Sequence, residues 1–140
     1  MRIARDFHWE MGHRLPFHQS GCANIHGHSY RLTVELTGRL DANGMLMDYG
    51  EMKRLIMPLI DELDHAFLCD DKDTLMLNFL SGSGLKYKIV PFTSTAENLS
   101  LYLLDELWKV FESKAEVTAL KLRLRETEIS YAEVERSRTA

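Results

Sequence analysis

Tyr30 to Thr37 constrains the fold most: Tyr30, Leu32, Val34 and Leu36 alternate without a break with Arg31, Thr33, Glu35 and Thr37. Side chains two apart on an extended chain share a face, so this segment reads as a strand with one side on a core and the other in water. Ile3 to Met11 alternates in the same way, Ile3, Arg5, Phe7 and Trp9 opposing Ala4, Asp6, His8 and Glu10. Leu120, Leu122 and Leu124 alternate with Lys121, Arg123 and Arg125, and a weaker strand is expected over Ile129 to Val134. Gly38 and Asn43-Gly44 mark a turn after the Tyr30 strand.

Two helices fall between the strand pairs. Asp48-Tyr49-Gly50-Glu51 has capping-box spacing and opens a helix with Met52, Leu55, Ile56, Leu59, Ile60 and Leu63 on one face. Pro58 lies inside it and is expected to kink or divide it, because proline removes a backbone donor. Ser94-Thr95-Ala96-Glu97 repeats the signature before Leu99, Leu103, Leu104, Leu107, Trp108 and Phe111. The order ββααββ predicts an α+β fold, a four-stranded antiparallel sheet with two helices on one face. All 140 residues then form a single domain, 1–140. Within it, Ser81-Gly82-Ser83-Gly84 separates two apolar runs, so residues 71–92 read as an extra hairpin or lid. The end, Glu135 to Ala140, is expected to fray.

A net charge of −4 and a pI near 5.8 argue against a nucleic-acid partner, which needs phosphates neutralised. No apolar run is long enough for a membrane span. Met1 to Asp6 lacks the features of a secretory signal, and two cysteines are too few for a disulfide framework, so the expected location is the cytoplasm.

The histidines are unevenly placed, five of the six falling within the first 28 residues. His26 and His28, two apart at the start of a strand, point to one side, and His13 follows the first strand, where pairing would bring it alongside. Three neutral imidazoles with an open fourth position describe a catalytic zinc site, though ligand type also suits iron or another transition ion. His8 and His18 read as ordinary surface or loop residues. Cys22, four residues before His26, fits two roles: a fourth ligand closing a structural site, or a nearby thiolate activated by the cation. Cys69 reads as a buried small hydrophobe. Asp64-His65 is either a proton relay or a turn cap. Lys121, Arg123 and Arg125 form a basic row that either attracts an anion or is simply solvated.

Cys22-x-x-x-His26-Gly27-His28-x-Tyr30, together with Trp9 to Leu15, Leu63-Asp64-His65, Thr95-Ala96-Glu97-Asn98 and Arg125-Glu126-Thr127, resembles the 6-pyruvoyl-tetrahydropterin synthase family. The motifs occur in order over residues 5–130, and the short gap before His26 is similar to the 6-carboxy-tetrahydropterin synthase branch of queuosine biosynthesis. Two features depart from the family pattern: Gly12 stands where alanine is usual, and residues 71–92 are longer than in compact members. The resemblance implies the tunnelling fold, whose subunits join into a barrel as trimers or a homohexamer with active sites between subunits. It implies Zn2+ on His13, His26 and His28, Cys22 as the proton-abstracting residue, Asp64 and His65 as its partner relay, and Glu126 on the guanidine-like edge of a pterin, with Thr95 near the pterin pocket. The implied enzyme is a zinc-dependent lyase that converts 7,8-dihydroneopterin triphosphate to 6-carboxy-5,6,7,8-tetrahydropterin with release of acetaldehyde and triphosphate. The alternatives are the sister 6-pyruvoyl activity and a non-catalytic zinc- or pterin-binding protein.

Overall fold

The computed structural model describes residues 1–139, which form one six-stranded sheet and three α-helices. Strands β1 (Arg2–His13) and β2 (His26–Gly38) pair antiparallel along their whole length, β5 (Val117–Arg125) pairs with β2, and β6 (Ala132–Ser137) pairs with β5. On the other side of β1, β3 (Ala66–Asp70) runs parallel to it, and β4 (Tyr87–Val90) runs parallel to β3. The sheet order is therefore β4-β3-β1-β2-β5-β6, with α1 (Tyr49–Leu63), α2 (Thr74–Leu80) and α3 (Ala96–Phe111) between strands. Among the described residues, no helix is long and apolar enough to cross a membrane.

The alternating segments bury the faces their periodicity assigns. Phe7, Trp9 and Met11 of β1, Tyr30 to Leu36 of β2 and Leu120 to Leu124 of β5 share one core with Met52, Ile56, Ile60 and Leu63 of α1 and Leu99, Leu103, Leu107 and Phe111 of α3. Asp48 caps α1 as its spacing predicts, accepting from the Gly50 and Glu51 amides. Pro58 does not divide α1, which runs unbroken from Tyr49 to Leu63. Four buried side chains on one stripe outweigh the single backbone bond that the proline removes. At the end of β2, a Cβ on Gly38 would lie 2.2 Å from the Glu116 carbonyl, so the close approach of the two chains there requires glycine.

The four-stranded, two-helix expectation is corrected by the segment between α1 and α3. Residues 71–92 are not a hairpin: Leu75 to Leu80 belongs to α2, and β3-α2-β4 is a parallel crossover. Parallel neighbours cannot be joined by a tight turn, so the connection must leave the sheet and return. Leu68 and Val90 face the main core, while Phe67 and Cys69 pack with Met76, Leu77 and Leu80 of α2 in a second cluster. α2 thus covers the opposite face of the sheet from α1 and α3, and Cys69 is fully buried there, as expected. The last strand is also displaced: β6 begins at Ala132, Ile129 is 94% exposed, and Glu135 to Ser137, expected to fray, pair with β5. Ala140 lies outside the described residues.

Candidate metal centre and active site

The β1–β2 register sets His13 opposite His26 and Met11 opposite His28. Residues directly opposed on an antiparallel pair share a face. The three imidazoles therefore extend the row of Phe7, Trp9, Met11 and Tyr30 past the end of the core, on the side of the sheet that carries α1 and α3. Gly27 lies between two of them at a tight crossing, since a Cβ there would come within 3.2 Å of the Met11 carbonyl. Each ring offers one nitrogen, and the three nitrogens lie within 4.8 Å of one another.

In two of the rings, hydrogen bonds fix which nitrogen this is. His13 Nδ1 lies 2.8 Å from the Ser94 carbonyl and His26 Nδ1 lies 2.7 Å from the Asn24 carbonyl. A carbonyl only accepts, so both Nδ1 atoms donate, and in the neutral rings the lone pair is left on Nε2. His13 Nε2 is buried and has no hydrogen-bond partner. A buried, unpartnered lone pair converging with two further, partly buried imidazoles fits a metal ion.

Glu126, just beyond β5, places its two carboxylate oxygens 4.0 Å from His13 Nε2 and from His28 Nε2. Burial and the neighbouring Glu97 charge push its pKa up. The Tyr30 hydroxyl is buried beside it without a well-formed hydrogen bond, and burial together with the Glu126 charge keeps the phenol protonated. Glu126 and Thr127 also line a cavity of about 510 Å³ with His8, Ser29, Arg31 and Arg125. The strand residues of that cavity lie on the face of the sheet opposite the imidazoles.

Asp64 caps the end of α1, and its Oδ1 accepts from the Glu10 amide at 3.0 Å and from His65 Nδ1 at 2.9 Å. The Glu10 bond, followed by the His65 and Lys86 charges, holds its carboxyl below the usual range. His65 has φ of 58°, unusual for a residue with a Cβ, and its backbone amide donates to the Glu10 carbonyl at 2.6 Å. His65 lines a cavity of about 530 Å³ with Gly27, His28, Phe67, Phe79 and Lys86. Cys22 sits in a short 3₁₀ turn, Gly21–Ala23, half-buried; its sulfur is not among the converging ligand atoms, and it does not line the His65 cavity.

A family model described as 6-pyruvoyl tetrahydropterin synthase matches residues 2–137. The chain belongs to the 6-pyruvoyl tetrahydropterin synthase family. It is thereby a pterin-processing enzyme of lyase type. It is 31% identical to the 6-carboxy-5,6,7,8-tetrahydropterin synthase of Haemophilus influenzae, over 94% of this chain and 96% of that one. The Aquifex aeolicus protein of the same name is 34% identical, over 94% and 95%. Among solved structures, a catalytic-residue mutant of Plasmodium vivax 6-pyruvoyltetrahydropterin synthase superposes with a TM-score of 0.79 at 18% identity, covering 98% of both chains. At that identity the likeness concerns the fold alone.

Some positions around the site of this family member leave no mark in the sequence. Ser94 has the spacing of a helix cap, but Thr95 is the cap of α3, its hydroxyl accepting from the Asn98 amide at 3.1 Å, while Ser94 is buried against His13. Thr95 therefore carries a structural hydrogen bond, whatever it contributes to a pterin pocket. Lys86 donates to the Asp61 and Asp64 carbonyls, a cation at the end of α1 that braces the Asp64–His65 corner. The basic row is largely neutralised: Lys121 faces Glu35 and Glu133, Arg123 pairs with Glu133, and Arg125 lies over Tyr131.

The buried trio predicts a pH signature for the metal-free protein. Burial, then the neighbouring His26 and His28, pull the His13 pKa from 6.5 down to about 4 against its bond to Ser94. Between these values the unfolded chain holds a proton at this position that the folded chain does not, so stability rises with pH across the window. The contribution is complete above pH 6.5 and falls by about 3 kcal/mol as pH drops toward 4, at about 1.4 kcal/mol for each pH unit crossed. Urea midpoints for the metal-free protein should follow this slope, and those of His13→Gln should lack it. Identical profiles for the two would remove His13 as the cause.

Proposed function

We propose that this family member converts 7,8-dihydroneopterin triphosphate to 6-carboxy-5,6,7,8-tetrahydropterin, releasing acetaldehyde and triphosphate, with zinc held by His13, His26 and His28. One observation carries the reading: three imidazoles converge beside a half-buried carboxylate, Glu126, in a chain whose relatives bear that enzyme's name. Zinc bound there would supply a Lewis acid for the oxygens of the substrate side chain. The protein's own groups do the rest.

Glu126 would accept the paired N–H donors of the pterin ring, a bidentate match that rejects rings lacking them. Its two oxygens, each 4.0 Å from an imidazole Nε2, set the reacting side chain near the ligands. Cys22, as thiolate, would remove a proton from a side-chain carbon. Asp64, ionised and fixed by the Glu10 amide, holds the Nδ1 proton of His65, leaving Nε2 to give or take the second proton.

Cys22 and His65 line different parts of one chain, which favours subunits arranged so that Cys22 of one copy meets the Asp64–His65 pair of another. The two edge strands, β4 and β6, offer backbone groups for such an assembly, a closed barrel in trimers or a hexamer. The acidic charge and free thiols suit a cytoplasmic enzyme.

The test is to incubate zinc-loaded protein with 7,8-dihydroneopterin triphosphate, assay acetaldehyde and weigh the pterin by mass spectrometry. Acetaldehyde with the 6-carboxy product supports the proposal. A 6-pyruvoyl product assigns the sister reaction, and no product from a folded, zinc-loaded sample overturns the substrate.

A further inference from the structure

We infer that the ion pair between the half-buried Arg14 and the buried Asp73 positions the metal ligand His13, so that the β3-α2-β4 crossover governs the affinity of the three-histidine site for its ion. This rests on the reading of that trio as a metal site. Arg14 follows His13 immediately at the end of β1, and Asp73 caps α2, far away in sequence. Arg14 Nε lies 3.6 Å from Asp73 Oδ2, with the side chains only 15% and 5% exposed. That Nε has no hydrogen-bond partner, so burial and charge hold the two groups together. A charge removed from water without its counter-ion is strongly unfavourable, which obliges each group to track the other.

A second set of contacts closes on the same dipeptide from the far end of the crossover. Ser94 accepts from His13 Nδ1 through its carbonyl, and its hydroxyl lies 3.3 Å from the Arg14 carbonyl, to which it donates. Thr93 donates to Asp70 Oδ2 at 3.1 Å, joining the residues after β4 to the end of β3. His13 and Arg14 are thus clasped between Asp73 at the start of α2 and Ser94 before α3. Sheet pairing between β1 and β2 ends at His13, and no ladder fixes the chain beyond it. The clasp supplies what the sheet does not, and it also anchors the loop that carries Cys22, whose carbonyl accepts from the Leu15 amide.

A positioning role differs from a stabilising one in what metal binding must do. If the pair holds His13 in ligating position, an ion on the trio must in turn hold the pair and the start of α2, because coupling between two sites is reciprocal. Zinc affinity, measured by competition with a chelator, is expected to fall about 10–100-fold in Asp73→Asn, the range seen for residues that orient ligands. The visible spectrum of the cobalt-substituted variant should change with it, and Asp73→Glu should recover part of the affinity. A merely structural pair would lower the melting temperature and leave affinity and spectrum at wild-type values, which overturns the inference. Hydrogen exchange on the unaltered protein decides the matter if Asp73→Asn does not fold. Zinc should slow exchange of the Met76 and Leu77 amides, which bond to the Asp73 side chain and carbonyl. Equal exchange with and without zinc overturns the inference while leaving the metal site intact. A wild-type protein that takes up no zinc overturns both.

Discussion

Cys22→Ala is expected to give a folded, zinc-loaded protein whose turnover is reduced about 10²–10⁴-fold, the range that a positioned proton-transfer group contributes. The ligand atoms that converge are the three imidazole nitrogens, and Cys22 lies outside that group on its own 3₁₀ turn. Removing a half-buried thiol from a surface turn leaves the register of β1 and β2 untouched, and with it the placement of His13, His26 and His28. The competing role, a fourth ligand closing a structural site, predicts that zinc affinity and stability fall together. Product formation, zinc content and melting temperature of the one variant separate the two. Loss of zinc in proportion to activity would return Cys22 to the ligand set, and activity within a few-fold of wild type would remove it from the chemistry.

The parts of this architecture that are legible in the sequence are those in which one face is buried and the other is wet. β1, β2 and β5 alternate because water covers one side of them, and the same period of two makes His26 and His28 neighbours. Once the hairpin is drawn, His13 joins them by register alone. The crossover is illegible for the opposite reason. β3 is covered by α1 on one face and α2 on the other, so Ala66 to Cys69 reads as a continuous apolar run with no period, and seven residues of α2 are too few to show one of their own. Ser94 and Thr95 share one capping signature because such signatures tolerate a displacement of one residue, and only the fold shows which hydroxyl meets a helix amide and which meets an imidazole. The Arg14–Asp73 pair leaves no local trace, since nothing near either residue in the chain refers to the other.

His13→Ala tests the metal centre from the opposite direction. His13 is the most buried of the three imidazoles, tied to Ser94 through Nδ1 and presenting an unpartnered Nε2. Its loss leaves two ligands on β2 and an uncovered Ser94 carbonyl, at a cost of about 1–3 kcal/mol for the unmet bond. Zinc affinity should fall by at least the roughly 10–100-fold that merely disturbing a ligand costs, and product formation should drop to background. Thermal unfolding gives a readout free of catalysis. An ion that binds only the folded state stabilises it by about 4 kcal/mol at roughly a thousand times its dissociation constant, and each tenfold loss of affinity removes about 1.4 kcal/mol of that, so the same zinc concentration should raise the wild-type melting temperature clearly more than that of His13→Ala. Because the metal-free baselines of the two proteins differ, the comparison is of shifts and not of absolute temperatures. A wild-type shift retained in His13→Ala would dissolve the three-histidine centre. A reduced shift, beside a zinc-loaded and inactive Cys22→Ala, would assign metal binding to the histidines and proton transfer to Cys22, which lies between His13 and His26 in the sequence.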